Sequence, residues 1–177
     1  MFVNLNTLVP FLDEPNRRYY LREYAKVLGI SPATAMKYLD ALVKAGLLVR
    51  KDGKLYSVFQ GNLDSLLFRQ HKVFFIIKKV IESGLLDFLD KELAFPTVVM
   101  FGSCAKGEDI KGSDLDLFVL TNTANELDLK VFEKKLKRSI QLFVKSDKEF
   151  KESTLNSPEL VNNFINGIKL SGFLKVF

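Results

Sequence analysis

Two apolar runs separated by a short gap do most to limit what this sequence can become. Val98-Val99-Met100-Phe101 ends in Gly102-Ser103, ten residues intervene, and Asp114-Leu115-Asp116-Leu117-Phe118-Val119-Leu120 follows. In a strand, residues i and i+2 point to one face, so Asp114 and Asp116 aim two carboxylates at one spot. Repulsion makes such a pair costly unless a cation sits there, and hard oxygen ligands suit Mg²⁺. A glycine just after the first strand lets backbone N–H groups approach a phosphate, and Ser103 adds a hydroxyl. A phosphate cradle beside paired carboxylates is an arrangement for a nucleoside triphosphate.

The strands that carry these residues belong to the second of two expected domains. Residues 1–60 read as three helices and a hairpin. Leu5, Leu8, Val9 and Leu12 are spaced for a first helix, and Asp13-Glu14-Pro15-Asn16 breaks it. Tyr20 to Gly29 gives a second, with Gly29 as its stop. Ser31-Pro32 supplies an N-cap and an N1 proline for a third that runs to about Ala45. Leu47–Arg50 and Leu55–Phe59 flank the turn Lys51-Asp52-Gly53-Lys54. Residues 61–177 begin with a long helix, about Leu63 to Glu82. Its Phe74-Phe75-Ile76-Ile77 is apolar nearly all round, so burial on several sides is expected, against a second copy or between domains. A helix from Asn125 to Lys137 and a third strand, Arg138 to Lys145, follow the Asp-x-Asp strand; the basic cluster Lys134, Lys135, Lys137 and Arg138 reads as the solvated end of that helix. Short helices begin at Ser146 and at Ser157-Pro158, the last ending in Gly167-Ile168-Lys169-Leu170-Ser171-Gly172.

Composition narrows the classes. With 47% hydrophobic and 27% charged residues the chain is globular. Its apolar runs are far short of a membrane span, and no leader pattern opens it, so a cytoplasmic protein is expected. One cysteine and one histidine exclude an internal disulfide and a zinc finger. Of the +5 net charge, residues 1–60 hold nine Lys/Arg against five Asp/Glu, the remainder seventeen against sixteen. The excess is N-terminal and points to a polyanion partner there.

Phe101-Gly102-Ser103 with Asp114-Leu115-Asp116-Leu117 resembles the motif of the DNA polymerase β-like nucleotidyltransferase superfamily, closest to its minimal nucleotidyltransferase branch, over roughly residues 72 to 170. The resemblance implies an α/β (α+β) domain with a small mixed sheet and flanking helices. It also implies transfer of a nucleoside monophosphate from an NTP to an acceptor hydroxyl with Mg²⁺ (or Mn²⁺). Asp114 and Asp116 would hold metal and act catalytically, and Gly102 and Ser103 would bind the β- and γ-phosphates. Lys106, where many relatives carry arginine, would neutralise phosphate charge. Some relatives adenylylate a partner toxin, so a protein acceptor stands beside small molecules and nucleic acids. The family's third carboxylate sits on the neighbouring strand, where this chain has Gln141. Asp128, Asp147 and Glu149 occupy no in-strand position that would replace it.

The N-terminal order resembles a winged helix-turn-helix. That implies DNA contact through Ser31, Thr34, Lys37 and Tyr38 on the third helix and Arg50, Lys51 and Lys54 on the wing, with Arg17 and Arg18 available to phosphates. Winged helices also serve as protein-interaction or dimer modules. Three readings follow: a transferase coupled to a DNA-binding domain, a DNA-binding regulator whose degenerate transferase domain senses nucleotide or mediates assembly, and a structural adaptor.

Overall fold

A computed structural model describes residues 5–173. The chain divides into two compact units, Met1–Lys72 and Val73–Phe177.

In the first unit, α1 (Leu5–Asp13), α2 (Leu21–Leu28) and α3 (Pro32–Lys44) pack with a three-stranded antiparallel sheet of β1 (Tyr19–Tyr20), β2 (Leu48–Asp52) and β3 (Ser57–Gly61), in the order β1-β3-β2. Ser31 caps α3 by accepting a hydrogen bond from the Thr34 N–H at 3.1 Å, and Gly29 closes α2 with φ of 65°. Phe11, Tyr19 and Tyr24 form a buried aromatic cluster, with Phe11 5.0 Å from Tyr19 and 5.4 Å from Tyr24. The Tyr24 hydroxyl donates to the Thr7 carbonyl at 2.6 Å, and burial pushes its pKa up to about 12. Two details differ from the sequence expectation. Tyr19-Tyr20 is a strand paired with Val58-Phe59, and the hairpin turn lies two residues later, at Gly53–Tyr56. A two-residue strand has no periodicity of its own; the partner strand creates it.

The second unit is a mixed sheet with helices on both faces. Its strands are β4 (Thr97–Phe101), β5 (Leu115–Leu120), β6 (Ile140–Lys145) and β7 (Ile168–Ser171), in the order β6-β5-β4-β7. β4 runs antiparallel to β5 and β7, and β5 runs parallel to β6 through the crossover helix α7 (Lys130–Leu136). One face packs Val98, Met100, Leu115, Leu117 and Val119 under α4 (Leu66–Ser83) and α5 (Leu85–Glu92). The other packs Val99, Phe101 and Phe118 under α8 (Asp147–Asn156) and α9 (Pro158–Ile165), where the rings of Phe118 and Phe164 stack at 4.1 Å. β5 is therefore buried on both faces, as its nearly continuous apolar sequence requires.

Within the chain, α4 buries Val73, Ile76 and Val80, and Phe74 and Ile81 are exposed. Two expectations are corrected here. The helix expected from Asn125 begins only at Lys130; ahead of it, Thr121 and Asn125 donate to the carbonyls of Leu93 and Glu92 and hold the segment as a loop. Ile168–Ser171, read as the end of a helix, is edge strand β7, so its backbone is satisfied by β4. Among the described residues, no helix is long and apolar enough to cross a membrane.

Candidate active site

The sheet brings Gly102, Asp114, Asp116 and Gln141 to one end of β4, β5 and β6. Asp116 is opposite Phe101 in the antiparallel pair and opposite Gln141 in the parallel one. Asp114 lies one residue before β5, and its main chain is held from the other side, its carbonyl accepting from Cys104 Sγ at 3.3 Å. Both aspartates are half-buried.

Gly102 begins α6 (Gly102–Lys106), a single short turn directly after β4. It has φ of 69°, and a Cβ there would collide with Asp116 Oδ2. The glycine thus meets two requirements at once: left-handed backbone, and room for the carboxylate to lie against the chain. Ser103 is half-buried beside it, and Lys106 is exposed at the end of the same turn. The Asp116 carboxyl is held above the usual range, first by burial and then by the negative charge of Asp114. A cation placed between the two aspartates would relieve both causes.

Gln141 completes the constellation. Its Nε2 donates to Asp114 Oδ2 at 2.6 Å. In this orientation the amide satisfies a carboxylate oxygen instead of offering one of its own. Among the described residues there is no group of three or more His, Cys, Asp or Glu side chains that could hold a metal ion. Asp114 and Asp116 would suit one hard cation, provided that other oxygen ligands completed its shell. They supply one negative charge fewer than three carboxylates would.

A buried network behind the site was missed by the sequence reading. Arg138, read as part of a solvated basic cluster with Lys134, Lys135 and Lys137, has a side chain only 10% exposed. Its guanidinium donates to Asp109 Oδ2 at 3.2 Å and to Cys104 Sγ at 3.0 Å. Burial pushes the Cys104 thiol up to about 11, so the sulfur is a neutral packing atom in this contact. Arg138 therefore fastens the segment between Gly102 and Asp114 to the start of β6. The signal available was the odd placement of an acid, Asp109, in a segment ending at the Asp-x-Asp strand.

The nucleotidyltransferase domain family matches residues 68–167. The chain belongs to that family. Comparison with curated proteins gives no match. The nucleotidyltransferase match spans β4, β5 and β6 and so contains Gly102, Ser103, Asp114, Asp116 and Gln141. Membership supports nucleotidyl transfer as the general activity, with an NTP as substrate.

The residues read as DNA contacts are all in the first unit, wholly outside the nucleotidyltransferase match. Ser31 and Thr34 spend their hydroxyls on each other at 2.9 Å and on the helix cap. Arg50 is committed to acids, donating to Asp52 at 2.7 Å with Asp40 at 4.0 Å. Lys37, Lys51 and Lys54 are exposed cations, and Tyr38 is half-buried.

Proposed function

We propose that the chain binds a nucleoside triphosphate with Mg²⁺ (or Mn²⁺) at Gly102, Ser103, Asp114 and Asp116, and transfers the nucleoside monophosphate to an acceptor hydroxyl. The observation that carries this reading is the convergence of Asp114, Asp116 and Gln141 beside Gly102, whose missing Cβ leaves the space that Asp116 Oδ2 takes. In the reaction, the acceptor hydroxyl gives its proton to water as its oxygen forms a bond to the α-phosphorus, the bond from that phosphorus to the α–β bridging oxygen breaks, and pyrophosphate leaves. Asp114 and Asp116 hold the cation, which when bound neutralises triphosphate charge. The Gly102–Ser103 turn takes the terminal phosphates, and Lys106 adds a positive charge nearby. The buried Arg138–Asp109 pair keeps the intervening segment in place. The acceptor belongs to a protein such as a toxin, a small molecule or a nucleic acid.

A second reading is favoured by Gln141 itself: a regulator that binds nucleotide and metal without efficient transfer. In both readings residues 1–60 serve as a winged helix-turn-helix that contacts DNA through Lys37, Tyr38, Lys51 and Lys54, with Ser31, Thr34 and Arg50 in supporting positions. Incubation with α-labelled NTP, Mg²⁺ or Mn²⁺ and a cell extract decides between them. Label appearing in an acceptor, and lost in Asp116→Asn, is the result expected of a transferase. Mg²⁺-dependent NTP binding with no labelled product from any acceptor gives the regulator instead. NTP binding indifferent to metal, and unchanged in Asp114→Asn and Asp116→Asn, would sink both.

A further inference from the structure

The first unit contains an open cavity of about 610 Å³, lined by β1 and the start of α2, one side of α3, and the loop joining β2 to β3 with the start of β3. Its walls are the rings of Tyr20, Tyr56 and Phe59 and the apolar side chains of Leu21, Leu55 and Met36. Three of these are unusually bare for their type: Tyr20 is 52% exposed, Tyr56 73% and Leu55 85%. The edge-on rings of Tyr20 and Tyr56, 6.5 Å apart, form one lip. Of the polar side chains in the wall, Ser57 already donates to Asp52 at 2.6 Å.

Arg22 is the one charged group in the wall, beside the hydroxyls of Tyr20 and Tyr56. Arg17 is held by Glu14 and Glu23, and Arg50 by Asp40 and Asp52. Among the described residues nothing pairs with Arg22, although it lines the cavity. An exposed guanidinium beside an aromatic hollow complements one negative charge on an apolar body.

We propose that this cavity is a binding site for a small aromatic carboxylate, its ring system between Tyr20, Tyr56 and Met36 and its carboxylate on Arg22. The volume is that of a small-molecule pocket, mostly apolar with a single orienting charge. Phosphate backbones are a poor match, because they are met by several cations, whereas six apolar or aromatic side chains, Ser57 and a single arginine line this wall. A bidentate guanidinium–carboxylate contact fixes the orientation of a planar acid, and flat aromatic faces accept its ring. The site is independent of the nucleotide reading.

The test is calorimetric titration of the full chain with 2-naphthoate and with its neutral counterpart 2-naphthamide. The acid should bind saturably with one site, about tenfold or more tighter than the amide. Arg22→Gln should weaken the acid by about tenfold and leave the amide within about twofold, and Tyr56→Ala should weaken both. Both side chains are exposed, so neither change threatens the fold. No saturable heat from the acid overturns the proposal. So does equal binding of the two probes with no response to Arg22→Gln, which marks an apolar protein-docking cleft. A single-stranded oligonucleotide that Tyr56→Ala releases and 2-naphthoate fails to displace also overturns it, assigning the cleft to nucleic acid.

Discussion

Gln141 pairs in register with Asp116 on the parallel strand, yet its amide nitrogen donates diagonally to Asp114, 2.6 Å away. A neutral donor lessens repulsion between two aspartates without contributing negative charge. Replacing Gln141 with Asp or Glu removes that donor and adds a third carboxylate. Without metal, the variant should be less stable by about 1 kcal/mol, seen as a melting temperature about 2–4 °C lower. With Mg²⁺ it should transfer label from α-labelled NTP at least about tenfold faster than wild type, about 1.4 kcal/mol in the barrier. Equal rates would mean that charge at position 141 does not limit transfer.

Gly102→Ala tests the close approach to Asp116. The new Cβ meets Asp116 Oδ2, and alanine must also take φ of 69°. Left-handed backbone at a non-glycine residue costs about 1–2 kcal/mol, and the carboxylate must turn away from the chain. Metal-dependent NTP affinity should fall by about tenfold or more, measured by calorimetry. A variant that loses stability but retains full affinity would separate the turn from the binding site.

The shift of Asp116 fixes a pH dependence. Its carboxyl is raised in the fold, so between the unfolded and folded pKa values the native state binds more protons. Stability of the metal-free protein from this group therefore declines as pH rises from about 3.9 through the raised folded value. Cation binding needs the charged form and strengthens over the same interval. Melting curves between about pH 4 and 7, with and without Mg²⁺·NTP, should show the ligand-induced gain growing as the metal-free melting temperature falls. Asp116→Asn should flatten both trends.

How much of this was legible in the sequence follows the range of the forces involved. The cap at Ser31, the stop at Gly29 and the two strands around Gly102 and Asp116 are local, and they stand where spacing places them. Gln141 was reached through the family resemblance, which sets its strand beside that of Asp116, and the two residues stand opposite each other in the parallel pair. What failed depends on partners far along the chain. β7 is a strand because β4 has a free edge, and β1 because β3 passes beside it. Arg138 looked solvated beside three lysines until the fold set it against Asp109, 29 residues earlier. Asp40 comes to Arg50 through packing of the same kind, joining Asp52 on the strand of Arg50 itself.

The Arg138–Asp109 pair is nearly fully buried, at 10% and 2% side-chain exposure. Deleting one member of such a pair leaves the other charged in a poor solvent and costs about 3–5 kcal/mol. Arg138→Met should show that loss in urea unfolding. The double change Arg138→Met with Asp109→Leu should recover a substantial part of it, because apolar replacement of both partners restores the balance. Failure of the double variant to improve on the single one would locate the loss in the contact with Cys104 instead.

The arginine of the N-terminal sheet yields a contrast that charge counting alone would miss. Lys37, Lys51 and Lys54 are exposed, whereas Arg50 has two acids within 4.0 Å. If the first unit contacts duplex DNA, each lysine that neutralises a phosphate steepens the dependence of affinity on salt. Lys37→Gln, Lys51→Gln and Lys54→Gln should each lower the slope of log K against log salt by about 1. Arg50→Gln should leave the slope almost unchanged, because Asp40 and Asp52 already neutralise its charge. The measurement is fluorescence anisotropy on a labelled duplex between about 50 and 200 mM salt. A slope that responds to Arg50 and ignores the lysines would reverse the assignment, and a wild-type affinity indifferent to salt would remove DNA as the partner of this unit.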